Sequence, residues 1–243
     1  MIELSQLTKR YGSFLAVDNV SLAVERGNLF AFLGTNGAGK TTTIRMMTGV
    51  LRPTIGTIRI GGYDIQTHPI EAKSIMGVVP DRPYIYGKLT GREFLQFMAD
   101  LYRVDPKLAR VRISELLERY GLERAQHDLI DGYSHGMRQR LMMCAARIHN
   151  PQVLVVDEPM VGLDPPGAKL LKDTFRELTQ AGTTVFMSTH SLSVAEELAH
   201  KLAIIKNGRI IAYGTLEDLY KEARTEDRDL EQVFLEIIER PEG

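Results

Sequence analysis

Hydrophobic and polar positions alternate differently in different stretches of the chain. "IELSQL", "FLAVDNVSLAVERG" and "GTIRIGGYDI" are β-prone pieces divided by Gly and Asp, the pattern of an antiparallel sheet. "NLFAFLG", "VLVVDEP", "TTVFMSTH" and "LAIIKNG" are short apolar runs that end at polar residues or Gly, with helical stretches between them. Such runs predict parallel strands buried on both faces of an α/β core. From about residue 82 to 150 the period changes to that of helices, in "TGREFLQFMADLYRV", "PKLARVRISELLERYG" and "SHGMRQRLMMCAARIH". The expected organisation is one domain over residues 1–243: an α/β core with its antiparallel β subdomain (1–81 and 151–220), a helical subdomain (82–150) and a helical tail (221–243). Within the tail, "RDLEQVFLEIIER" is amphipathic and reads as a packing helix, with a dimer contact as the alternative.

Composition narrows the partners. With 30 Lys and Arg against 31 Asp and Glu, the chain has no broad basic surface, and no nucleic acid is expected. Its single cysteine, Cys144, cannot form an internal disulfide and sits among apolar residues, where it reads as a small buried hydrophobe. No stretch has the form of a signal peptide or the length of a membrane span. Any membrane role is therefore expected to run through a partner.

"LGTNGAGKTTT" carries the strongest chemistry. Gly34, Gly39, Lys40 and Thr41 satisfy the spacing of a P-loop, placed after a buried strand and before a helix. The glycines, Gly37 included, let backbone N–H groups close around phosphate oxygens. Lys40 neutralises the β and γ groups, and Thr41 offers its hydroxyl to Mg²⁺. "VLVVDEP" delivers Asp157 and Glu158 at the carboxyl end of a strand, the edge at which open α/β sheets bind ligands. Asp157 is expected to hold Mg²⁺, and Glu158 to orient and deprotonate the attacking water. "VFMSTHSL" ends a neighbouring strand on Ser188, Thr189 and His190, and His190 is placed to reach a γ-phosphate oxygen and that water. "DGYSHGMRQR" adds a second anion-binding helix start around Ser134 and Gly136, far in sequence from the P-loop.

These ordered motifs, spread over essentially the whole chain, resemble the ATP-binding subunit of an ABC transporter. The resemblance implies the α/β fold of that family: a P-loop NTPase core with a mixed, mainly parallel sheet, an antiparallel β subdomain and a helical insertion. It implies ATP hydrolysis with Mg²⁺ and two subunits sandwiching two ATP molecules head to tail, a homodimer being favoured over a heterodimer. Tyr11 corresponds to the aromatic residue that stacks on adenine, and Gly34, Thr35, Asn36, Gly37, Ala38, Gly39, Lys40, Thr41 and Thr42 form the loop on the phosphates. "YSHGMRQ" stands at the signature motif, so Ser134 and Gly136 would touch ATP held by the other subunit, and Asp164 in the D-loop would link the sites or cap a helix. Two positions depart from the family pattern. Asp81 replaces the usual glutamine and is either a metal contact or a turn cap; His135 replaces a glycine of the signature.

Pro83, Tyr84, Ile85 and Tyr86 form an apolar patch where the family receives a membrane subunit, here the region 82–94. With the tail "DLEQVFLEII", that segment resembles the subunits of small bacterial exporters with separately encoded permeases, which work at the cytoplasmic face of the membrane. The rival reading is a soluble ABC-type ATPase serving a non-transport assembly. The chain lacks the second cassette, coiled-coil arms, zinc cysteines or basic surface that such proteins usually add.

Overall fold

A computed structural model describes residues 1–82, 84–223 and 230–239. Pro83 of the apolar patch and much of the expected tail lie outside the described residues. In chain order the elements are β1 (Ile2–Tyr11), β2 (Phe14–Val24), β3 (Leu29–Leu33), α1 (Lys40–Met47), β4 (Ile55–Ile60), β5 (Tyr63–Asp64), α2 (Pro69–Ser74) and β6 (Met76–Val79). There follow α3 (Gly91–Leu101), α4 (Pro106–Arg119), α5 (His135–Arg147), β7 (Val153–Asp157), α6 (Pro165–Gln180) and β8 (Thr184–Thr189). The chain closes with α7 (Leu192–Leu198), β9 (Lys201–Lys206), β10 (Arg209–Gly214), α8 (Leu216–Ala223) and α9 (Leu230–Glu239).

The strands form two sheets, one antiparallel in the order β2-β1-β4-β5 and one of six strands in the order β10-β9-β3-β8-β7-β6. In the second, β9, β3, β8, β7 and β6 run parallel and β10 returns antiparallel to β9. All residues of β3 and β7 are buried, because both faces of this sheet are covered. Leu29, Ala31, Leu33, Leu154 and Val156 face the helices α3 to α9, while Phe30, Phe32, Val153 and Val155 face α1, α2 and the antiparallel sheet. Two cores on opposite sides of one sheet account for strands that show no alternation in sequence.

The helices α3 to α5 lie in the connection between two adjacent parallel strands, β6 and β7, and local signals fix where they begin. Thr90 and Glu93 form a reciprocal capping box at α3, and Asp105 caps α4 just ahead of Pro106. In the tail, Leu230, Val233 and Ile237 of α9 are buried in the helix-side core, one stripe of an amphipathic helix packed on its own chain. Cys144 is wholly buried, and burial pushes its thiol far above the ordinary range, so it is an inert core residue. Among the described residues no helix is long and apolar enough to cross a membrane.

Candidate nucleotide site

A cavity of about 460 Å³ opens at the carboxyl edge of the parallel strands. Its floor is the loop between β3 and α1. Gly39 holds that loop at φ 112°, and a Cβ there would meet the Ala16 carbonyl oxygen at 2.8 Å, so only glycine fits the turn into α1. No side chain caps α1, which leaves its first N–H groups directed at the cavity as an anion site. Thr35, Asn36, Gly37, Gly39, Lys40, Thr41 and Thr42 line it, whereas Gly34 and Ala38 shape the loop from behind.

The ammonium of Lys40, only 6% exposed, donates to the carbonyl oxygens of Gly34 at 2.7 Å and Thr35 at 3.3 Å. It also lies 3.3 Å from Glu158 Oε1 as an ion pair. The other carboxylate oxygen of Glu158 is 2.9 Å from His190 Nδ1. Three residues from three segments thus converge on one point of the cavity wall. Glu158 adopts a left-handed backbone, φ 50°, which costs on the order of 1–2 kcal/mol for a residue with a Cβ. Its N–H is held by both the carbonyl and the hydroxyl of Ser188 at 3.2 Å, which fixes that strained turn.

Asp157 is 2% exposed at the end of β7, and the Ser188 hydroxyl donates to its carboxylate. Burial pushes its pKa up, opposed by the Ser188 hydrogen bond and the Thr41 hydroxyl and assisted by the charges of Asp81 and Glu158. A buried carboxyl whose charge is disfavoured, facing a threonine hydroxyl and a second carboxylate, is an all-oxygen donor set of the kind a hard divalent cation takes. Thr41 and Asp81 border both this cavity and an adjoining one of about 550 Å³, which Asp157 also lines. Asp81 is half-exposed and reaches the Arg82 guanidinium at 4.0 Å.

Tyr11 does not line the cavity; Phe14 does. The two face each other across the β1–β2 hairpin, where the Gly12-Ser13 loop pairs Tyr11 with Phe14, and both rings are exposed, Tyr11 under the Lys9 ammonium. Ser134 and Gly136 are not among the residues lining either cavity. Ser134 caps α5, accepting from the Met137 N–H at 3.3 Å, so its hydroxyl is engaged rather than free. Asp164 likewise caps α6, accepting from Gly167 N–H at 3.0 Å. Below the start of α5, the buried Tyr133 hydroxyl donates to the Ala125 carbonyl at 2.6 Å and anchors the turn.

Phe14 is the contributor that sequence reasoning passed over, and Ser188 was read only as a polar strand end, without its role. The two-residue Gly-Ser loop was the available signal for Phe14. For Ser188 there was none beyond its strand-end position, because its bonds to Asp157 and Glu158 depend on which strands neighbour each other.

Comparison with known proteins matches residues 17–161 to the family described as ABC transporter. The chain is 41% identical over 218 residues to the daunorubicin/doxorubicin resistance ATP-binding protein of Streptomyces peucetius, covering 90% of this chain and 66% of that one. It is 36% identical over 219 residues to the linearmycin resistance ATP-binding protein of Bacillus subtilis, covering 90% and 70% respectively. A solved structure described as the ATP-binding subunit of an ABC transporter superposes with a TM-score of 0.94 at 31% identity, over 98% of this chain and all of that one.

Proposed function

The chain belongs to the ABC transporter family as an ATP-binding, ATP-hydrolysing subunit, and we propose that two copies close head to tail around two ATP molecules to power a separately encoded membrane permease of the exporter type. The observation that carries this reading is the division of the chemistry. Lys40, Glu158 and His190 meet at one cavity, while Ser134 and Gly136 at the capped start of α5 do not line it. One chain therefore carries both halves of a site without bringing them to one cavity, so two copies of it could complete each other as a homodimer. Residues 1–81 with 151–220 would serve as the core and 82–150 as the helical arm, the tail 221–243 packing behind.

Within each site, the N–H groups of the loop and the Lys40 ammonium bind the phosphates. Glu158, aligned by His190 and by the Ser188 contacts, takes the proton of the attacking water, and His190 then stands within reach of the γ-phosphate. Thr41 and Asp157 would hold Mg²⁺, with Asp81 as a third oxygen donor; the ion supplies charge neutralisation on the β and γ groups. From the partner, the Ser134 and Gly136 backbone at the α5 N-terminus would close on the γ-phosphate.

Tyr84 is 91% exposed, and Tyr86 stacks edge-on against Phe97, giving the 82–94 region an apolar surface suited to a permease segment. The resistance functions in the relatives' names support an outward direction of transport. On this reading the chain would work at the cytoplasmic face of the membrane, peripherally bound. Isolation of native membranes, followed by identification of what co-purifies with the chain, tests the reading. A multispanning permease released together with the chain by detergent is the expected result; a ribosomal or DNA-repair partner in the soluble fraction would replace it with the soluble-ATPase reading.

A further inference from the structure

We infer that His135 is a positioning residue for ATP hydrolysis, tying the first turn of α5 to the Pro159–Leu163 turn of its own chain so that the two move as one body. The inference rests on the proposed role of the α5 start as half of a partner's site. His135 Nε2 lies 3.4 Å from the Val161 carbonyl oxygen, to which its N–H donates. The imidazole covers Gly162, which is at φ 75°; a Cβ there would meet His135 Cδ2 at 2.7 Å and Nε2 at 2.9 Å. Ring and glycine are therefore fitted to each other, the ring standing where a side chain at 162 would be.

One further contact runs the same way: Gln139 Nε2, buried, donates to the Pro159 carbonyl oxygen at 3.4 Å. On its other side the turn leads to the chemistry: Val161 N–H donates to the Glu158 carbonyl at 3.2 Å, and Val161 lines the nucleotide cavity. A path of direct contacts thus joins the cavity of one chain, through Val161 and His135, to the surface the same chain offers to a second nucleotide. A glycine at 135 would leave that turn without either the donor or the ring.

Steady-state ATPase of the full chain tests this. His135→Leu, which keeps bulk but loses the donor, should lower kcat about 2- to 10-fold, the range that one net hydrogen bond supplies, with the KM for ATP unchanged. His135→Gln, whose amide nitrogen falls near the Nε2 position, should recover most of that loss. Gly162→Ala should slow turnover in the native background and cost less when His135 is replaced by Gly, because the ring it collides with is gone. A His135→Leu kcat equal to that of the native chain, equal losses for Leu and Gln, or a Gly162→Ala loss that is the same in both backgrounds would each overturn the inference. Ser134→Arg separates the two levels: if it is inert, the reading of α5 as a partner's half-site falls and the inference with it, whereas an inactive Ser134→Arg beside a silent His135→Leu removes the inference alone.

Discussion

The P-loop edge and the start of α5 are two helix N-termini in one chain, yet they are built in opposite ways. At the P-loop edge every functional group is held by another: Lys40 by two carbonyls and Glu158, Glu158 by His190 and Ser188, Asp157 by Ser188. Lys40 and Asp157 are buried there. At α5 Ser134 and His135 are exposed, and the contacts of the first turns, His135 with Val161 and the buried Gln139 with Pro159, lead back to the Pro159–Leu163 turn. The sheet orders the first region in advance of ligand. The second is presented on the surface, where in the proposed sandwich the other subunit would meet it. A lesion in the first should therefore damage the chain's own nucleotide, and a lesion in the second a neighbour's.

The sharpest test of the first region is Glu158→Gln. The amide keeps the shape at the His190 contact and removes the base, so turnover should drop by about 10²- to 10⁴-fold while ATP binding persists. Near-normal steady-state hydrolysis would take Glu158 out of the catalytic role. The contrast itself breaks or holds in mixed dimers of Lys40→Ala and Ser134→Arg chains, each nearly dead alone. If sites are shared, one site collects both lesions and the other is intact. Random mixing then restores roughly a quarter of native site activity, from one good site in half of the dimers. Tagged mixed dimers that form in ATP without any recovery would mean that the two regions serve the same chain's nucleotide, or that one site cannot fire alone.

How far each region was legible in sequence follows from the same contrast. The P-loop, Asp157, Glu158 and His190 were readable because apolar runs announce buried strands and the polar residues that end them lie at one sheet edge. The strand β6 was not: "MGVV" is only four residues long and broken by Gly77, and it becomes a strand by pairing with β7, which then carries Asp81 to the cavity rim. The left-handed turn at Glu158 was equally invisible, since it depends on Ser188 from a strand thirty residues on. At α5 the Ser-x-x pattern of an N-cap was present, and the helix began where it predicted. What could not be read there was His135, whose use depends on a turn brought alongside by β7.

A smaller effect tests the edge of the first region. Tyr11 and Phe14 sit on one hairpin, and only Phe14 lines the cavity. Stacking of an aromatic ring on a base is worth about 1–3 kcal/mol on truncation to Ala. If Phe14 carries the adenine, Phe14→Ala should raise the KM for ATP by about 5- to 150-fold and Tyr11→Ala by much less. The reverse order would return the role to Tyr11 and show that the hairpin turns when ATP enters. Equal, small effects would leave adenine recognition to neither ring.

The smallest effect concerns the joint where α5 runs back toward the sheet. His149 stacks on Tyr102, the residue just past α3, ring centroids 3.7 Å apart and nearly parallel. Neither ring nitrogen has a hydrogen-bond partner among the described residues, and burial first, then the nearby Arg112 charge, lowers its pKa from 6.5 to about 4. A folded pKa below the unfolded one means that between these values the unfolded chain holds a proton the folded chain lacks. The stabilisation is therefore present above the unfolded pKa and is lost as pH falls from 6.5 toward about 4. His149→Phe keeps a ring on Tyr102 and removes the proton, so its melting temperature should fall less than that of the native chain between about pH 7.5 and pH 4.5. Parallel falls would show that His149 does not contribute to the acid sensitivity. ATPase activity at neutral pH should be nearly unchanged in the variant, because His149 belongs to the scaffold that carries the exposed region and touches neither half of the chemistry. A large loss of turnover with unchanged stability would instead mean that this joint moves during the cycle, and that the outward region is less passively held than its contacts imply.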